Sequence, residues 1–202
     1  MRNEDNILYL DTNVYIAYYF GRNNTLRHND RDTINNEISQ FHRSNSYFTP
    51  SNQIFVPTLL AIEIFSTIRK ILSRSPSINN KDILNEESKK LFQNIIKDIG
   101  QQRNFLFDQK TNTNQINMNS VVRKSYDIIS TIKGNLKKNN FCNTCRTRRI
   151  QQQVHKCLDM MDIMHILMAK SYGCKKFITF DKGFIEIMNH KEIEPVIIEI
   201  PQ

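Results

Sequence analysis

The chain has 202 residues, with 28 Lys and Arg against 20 Asp and Glu and a formal net charge of +8; its isoelectric point is near 9.4. That length suits one domain with a substantial core, spanning 1–202, and argues against a second independent enzyme domain. The charge makes a polyanion the natural partner, because Lys and Arg neutralise phosphates and release their counterions; the plainer alternative is a soluble protein that happens to be basic.

MRNEDNILYLD at the amino end has a four-residue apolar stretch, too short for a signal-peptide core or a spanning helix. The longest greasy region, IFVPTLLAIEIF, carries Pro57 and Glu63. No membrane segment is expected, and the chain reads as cytoplasmic. In that compartment Cys142, Cys145, Cys157 and Cys174 are thiols or metal ligands rather than disulfides.

Residues 7–10, Ile-Leu-Tyr-Leu, form a continuous apolar run, the pattern of a strand covered on both faces in a parallel sheet. Asp11 ends it. The following TNVYIAYYFG predicts a helix capped by Thr12 or Asn13, with Gly21 as its stop. Residues 22–52 are polar and Asn-rich, an expanded segment read as a mobile flap with one helical pattern at Ile34, Ile38 and Phe41. Ile54, Phe55 and Val56 predict a short strand. Pro57 suits the first turn of a helix through Leu60, Ile64, Ile68 and Leu72, with Glu63 near its start.

Leu84, Leu91, Ile95 and Ile99 predict a helix between Lys81 and Gln102, and Phe105–Phe107 a small strand. Val121, Val122, Tyr126 and Ile129 suggest another helix, capped by Asn119 or Ser120. From Asp127 to Asp159 there is no acid, while Lys133, Lys137, Lys138, Arg146, Arg148, Arg149 and Lys156 accumulate. A long helix is expected from near Arg148, carrying Asp159, Asp162, His165 and Ala169 and stopping at Gly173. Phe177–Phe180 is a second apolar strand ending on an acid, Asp181; a short helix and a final strand at Val196–Ile200 follow. Alternating strands and helices predict an α/β layer fold with a mostly parallel central sheet.

Ligands of such sheets bind in the crevice beyond the carboxyl ends of the strands. Asp11 and Asp181 end two strands there, Glu63 sits near a helix start, and Asp162 lies on the helix just before the second strand. Carboxylates converging without His or Cys form a hard oxygen site suited to Mg²⁺ or Mn²⁺. A pair of such ions activates water and steadies the attacking and leaving oxygens of a phosphodiester. Each acid alone has a plainer role: Asp11 and Asp181 as helix caps, Glu63 as a first-turn acid, Asp159 and Asp162 as a solvated face.

Four motifs give the chain a resemblance to the PIN-domain ribonucleases, the family that includes the VapC toxins: LDTNV at 10–14, AIEIF at 61–65, DIMHILMA at 162–169 and ITFDKGF at 178–184. The resemblance covers about half the chain and implies a Rossmann-like three-layer fold, Mg²⁺- or Mn²⁺-dependent RNA cleavage, and frequent homodimers. It also implies that Asp11, Glu63, Asp162 and Asp181 bind metal, with Asn13 and Thr179 in support. The D-x-x-H-x-x-x-A pattern selects Asp162 over Asp159. The expansions at 22–52 and about 100–150 have no counterpart in the shorter toxins.

Within the second expansion, Cys142, Cys145, His155 and Cys157 are a candidate Zn²⁺ knuckle or incidental thiols in a basic loop. Arg146, Arg148 and Arg149 are candidates to grip RNA phosphates or to dock an acidic antitoxin. His165 reads as a packing or hydrogen-bonding residue behind the acids rather than a general base. Tyr9, Tyr15, Tyr18, Tyr19 and Phe20 read as core rather than base-stacking. The expected function is a metal-dependent endoribonuclease, as a toxin or a solitary RNA-processing nuclease. The alternatives are a nuclease-derived RNA-binding or assembly module without turnover, and metal-dependent cleavage of DNA.

Overall fold

The computed structural model describes residues 7–22, 31–74, 78, 80–102, 104–107, 117–138 and 158–201. The strands are β1 (Ile7–Leu10), β2 (Gln53–Val56), β3 (Phe105–Phe107), β4 (Lys176–Ile178) and β5 (Ile197–Glu199). The helices are α1 (Thr12–Arg22), α2 (Arg31–Asn45), α3 (Thr58–Leu72), α4 (Lys81–Gln101), α5 (Met118–Lys138) and α6 (Met160–Ser171), with 3₁₀ segments at Lys182–Ile187 and Lys191–Ile193. All five strands pair in parallel in the order β3-β2-β1-β4-β5. This is the α/β layer fold with a parallel sheet that the alternation of elements predicts, in the three-layer Rossmannoid form that the resemblance implies.

The apolar runs follow from this layering. Leu8, Tyr9 and Leu10, then Ile54, Phe55 and Val56, then Phe177 and Ile178 are all buried, so no face of β1, β2 or β4 alternates with water. Helices α1 to α4 pack as one series and α5 packs on α6 as another, and they flank the sheet. The chain steps from β1 through β2 to β3, then returns past β1 to β4 and β5. The reversal lies between β1 and β4, the place where ligands of open parallel sheets bind.

Several expectations need correction. The helix carrying Asp162 begins at Met160, and Asp159 is its N-cap rather than a residue within it. It does turn off as expected, with Gly173 in the left-handed region at φ 78°. Cys142, Cys145, His155, Cys157, Arg146, Arg148 and Arg149 lie outside the described residues. The cap of α5 is Asn117, whose Oδ1 accepts the Ser120 amide at 3.1 Å, and Pro57 is the N-cap of α3 rather than part of its first turn.

Gly21 does not stop α1, which runs on to Arg22. It leaves room for α2: a Cβ built there would meet Phe41 Cγ at 2.4 Å. The described part of the 22–52 expansion is fastened down rather than standing off as a flap. Phe48 stacks on Tyr18 with ring centroids 3.9 Å apart. Tyr47 donates to Glu199 of β5 at 2.5 Å, and Asn104, just before β3, donates to the carbonyls of Thr49 and Asn52. No helix among the described residues is long and apolar enough to cross a membrane.

An exposed helical Gly→Ala change normally stabilises, by about 1 kcal/mol. Here the added methyl drives into Phe41, and overpacking of this kind costs roughly 1–3 kcal/mol. Gly21→Ala is therefore expected to lower stability in urea unfolding, and because the Phe41 Cβ lies as close as its ring, at 2.5 Å, the same change is expected to cost far less only in a Phe41→Gly background.

Candidate functional site

Asp11 is fixed by the sheet before its side chain makes a bond. Its amide donates to the Ile178 carbonyl at 2.9 Å, one step beyond the β1–β4 ladder, and its carbonyl accepts the Val14 amide at 2.9 Å to start α1. The side chain is only 7% exposed. Oδ1 accepts the Thr12 amide, and Oδ2 accepts both Asn13 Nδ2 and the Thr179 hydroxyl, each at 2.7 Å. Burial pushes the carboxyl up from 3.8 to about 6, against the lowering pull of the His165 charge and of the Thr179 and Thr12 hydrogen bonds.

Asn13 and Thr179 brace the same point. Asn13 Oδ1 accepts the Phe180 amide at 3.0 Å, and its Nδ2 also donates to Thr179 Oγ1 at 3.0 Å. Thr179 Oγ1 in turn accepts the Asp181 amide at 3.0 Å. These bonds tie the ends of β1 and β4 together and fix the Asp181 backbone.

Glu63 reaches the same place from α3. Its Oε2 accepts the Thr12 hydroxyl at 2.5 Å and lies 2.8 Å from His165 Nε2 of α6. The approach to the ring is off the N–H line, so it is a close electrostatic contact rather than a straight hydrogen bond. The other ring nitrogen, Nδ1, is hydrogen-bonded to the Tyr9 hydroxyl. Burial depresses the proton affinity of His165, but the close approach and charge of Glu63, with the charges of Asp11 and Asp162, outweigh it and leave the pKa raised. His165 and Tyr9 are 1% and 0% exposed, which fits the reading of the histidine as a residue behind the acids.

Asp162 and Asp181 are half-buried and take part in helix starts. Asp162 and Asp159 form a capping box: Asp162 Oδ2 accepts the Asp159 amide at 2.7 Å while Asp159 accepts the amides of Met161 and Asp162. Asp181 Oδ1 accepts the Gly183 amide at 2.7 Å at the head of the 3₁₀ segment. The plainer capping roles of these two acids are thus present in the structure. Such bonds engage part of each carboxylate, whose two oxygens offer about four acceptor sites.

Among the described residues, no three His, Cys, Asp or Glu side chains are gathered closely enough to hold a metal ion. Asp11 and Glu63 are joined through Thr12, the backbone amide of Asp181 is linked to Asp11 through the Thr179 hydroxyl, and Asp162 is near enough to act on His165. In kind the donor set fits a hard divalent cation, being carboxylate oxygen throughout. A desolvated acid raised to about 6 also carries a burial penalty that an adjacent cation offsets.

Thr12 and Tyr9 are the site residues that sequence reasoning passed over. Tyr9 stands two residues before Asp11 on the same side of the strand, and His165 lies one helical turn after Asp162; those spacings were the available signals. Tyr9, Tyr15, Tyr19 and Phe20 are buried, as the core reading expected. Comparison with family models, with curated proteins and with solved structures found no match.

A raised acid pKa means the folded state keeps its proton to higher pH than the unfolded chain, so stability from this group is lost as pH rises from about 4 to about 6. In EDTA, urea unfolding of the wild type should lose on the order of 3 kcal/mol relative to Asp11→Asn across that window. Parallel pH profiles for the two proteins would show that Asp11 is not the strained acid.

Proposed function

We propose that the protein is a Mg²⁺- or Mn²⁺-dependent endoribonuclease of the PIN type that its motifs resemble. The observation that carries the reading is Asp11: a buried carboxylate, set by three hydrogen-bond donors at the switch point of a parallel sheet and coupled through Thr12 to Glu63. Asp11 and Glu63 form the inner pair of cation ligands, and Asp162 and Asp181 complete the set from the rim. Bound there, divalent metal supplies water activation and charge stabilisation for phosphodiester hydrolysis.

The chain's own residues orient the acids. Asn13 and Thr179 hold Asp11 between β1 and β4, and Thr12 fixes the Glu63 oxygen. The net charge of +8 favours approach of a polyanionic substrate, RNA in this reading. Action as the toxin of a toxin–antitoxin pair, with an acidic antitoxin as partner and a homodimer as working form, belongs to the same proposal, as does a cytoplasmic setting.

A second reading is favoured by one observation. Asp162 and Asp181 are engaged in caps, and no three-acid group stands ready among the described residues, as in an RNA-binding or assembly module without turnover. RNA cleavage by purified protein separates the two. The nuclease reading expects Mn²⁺-dependent cleavage that EDTA stops, with Asp11→Asn losing at least ~100-fold in rate while remaining folded by circular dichroism. Cleavage by Asp11→Asn at the wild-type rate would refute the assignment. RNA binding without cleavage at any Mn²⁺ or Mg²⁺ concentration would favour the module.

A further inference from the structure

The Tyr9–His165 pair is buried, polar and not used by any step above. Tyr9 lies at 0% exposure, its ring stacked on Phe177 at 5.2 Å and set edge-on to Phe55 at 6.0 Å. A phenylalanine would fill that cage equally well. The hydroxyl therefore needs a reason to be there, since burying an unsatisfied hydroxyl costs roughly 1–3 kcal/mol. Its hydrogen-bond partner among the described residues is His165 Nδ1.

A buried phenol proton must find an acceptor, so Tyr9 donates to Nδ1, and the imidazole N–H is then on Nε2, the nitrogen 2.8 Å from Glu63 Oε2. The same Oε2 accepts the Thr12 hydroxyl. Two groups from different elements thus converge on one oxygen, Thr12 at the head of α1 by a hydrogen bond and His165 of α6 by a close contact. The His165 contact also joins the two helical series across the carboxyl end of the sheet.

We propose that Tyr9 and His165 are positioning residues: Tyr9 fixes the tautomer and tilt of His165, and His165 holds Glu63 in the orientation in which it shares a divalent cation with Asp11. The inference rests on the metal-dependent reading above. Outer residues that orient a ligand typically change metal affinity 10- to 100-fold when altered. Tyr9 acts only through His165, so its effect must vanish once the imidazole is gone.

The test is Mn²⁺ titration of the purified full chain, followed by calorimetry or by the loss of the free-ion paramagnetic signal. Tyr9→Phe is expected to weaken Mn²⁺ binding roughly 10-fold or more. His165→Gln, which keeps an amide N–H for Glu63, should bind within a few-fold of wild type, whereas His165→Leu should lose as much as Tyr9→Phe. In the His165→Gln background, Tyr9→Phe should cost nothing further.

Wild-type affinity in Tyr9→Phe, equal affinities for His165→Gln and His165→Leu, or an undiminished Tyr9→Phe loss in the Gln background would each overturn the inference while leaving the metal site standing. If Tyr9→Phe does not fold, the Gln–Leu comparison still decides. Failure of the wild type itself to bind Mn²⁺ at millimolar concentration would instead overturn the metal reading, and this inference with it.

Discussion

Everything at the carboxyl end of the sheet depends on where one buried carboxylate is held. Asp11 is barely exposed, and an isolated charge in such a place is costly unless it is paired or well hydrogen-bonded. Its three donors come from the first turn of α1 and from the end of β4, so solvating the acid and joining the two strands are one set of bonds. Hydrogen bonds to a charged group are worth roughly 1.5–3 kcal/mol each. They reduce the burial penalty without cancelling it, since the carboxyl still sits at about 6.

Thr179 is the hinge of this arrangement. Its hydroxyl donates to Asp11 Oδ2 and accepts both Asn13 Nδ2 and the Asp181 amide, while its own amide continues the sheet to the Glu199 carbonyl at 3.1 Å. A serine would supply the same oxygen with fewer restraints on its rotation, because the β-branch limits χ1. Thr12 does the corresponding work on the other side, its amide going to Asp11 and its hydroxyl to Glu63. Two threonines therefore link Asp11 to the Glu63 carboxylate on one side and to the Asp181 backbone on the other.

The fold was legible because its signals are local. ILYL, IFV and the Phe177–Ile178 pair are apolar on both faces, as a sheet covered on both sides asks. Asp11 was legible for the same reason, as the first polar residue after such a run, and Asp181 as the first acid after Phe177–Phe180. What was not legible depends on approach between distant residues. Gly21 looks like a stop and is instead the clearance for Phe41. Asp159 looks like a helix residue and is instead the cap of α6, although its D-x-x-D spacing with Asp162 was a capping signal. The Tyr9–His165 bond joins residues 156 apart in sequence, and no periodicity encodes it.

Whole-chain charge and site charge answer different questions. The formal net charge of +8 is carried on side chains distributed along the chain, and exposed charges are screened over about 8 Å at physiological ionic strength. Screening of that reach lets a basic surface attract a polyanion but leaves a buried acid such as Asp11 governed by desolvation and immediate neighbours. The most effective positive neighbour of Asp11 is His165, which also faces Glu63 and Asp162. One imidazole among three carboxylates, even when protonated, cannot neutralise them. The crevice therefore remains negative inside a positive protein, and that imbalance is the physical reason to look for a cation there before looking for a base.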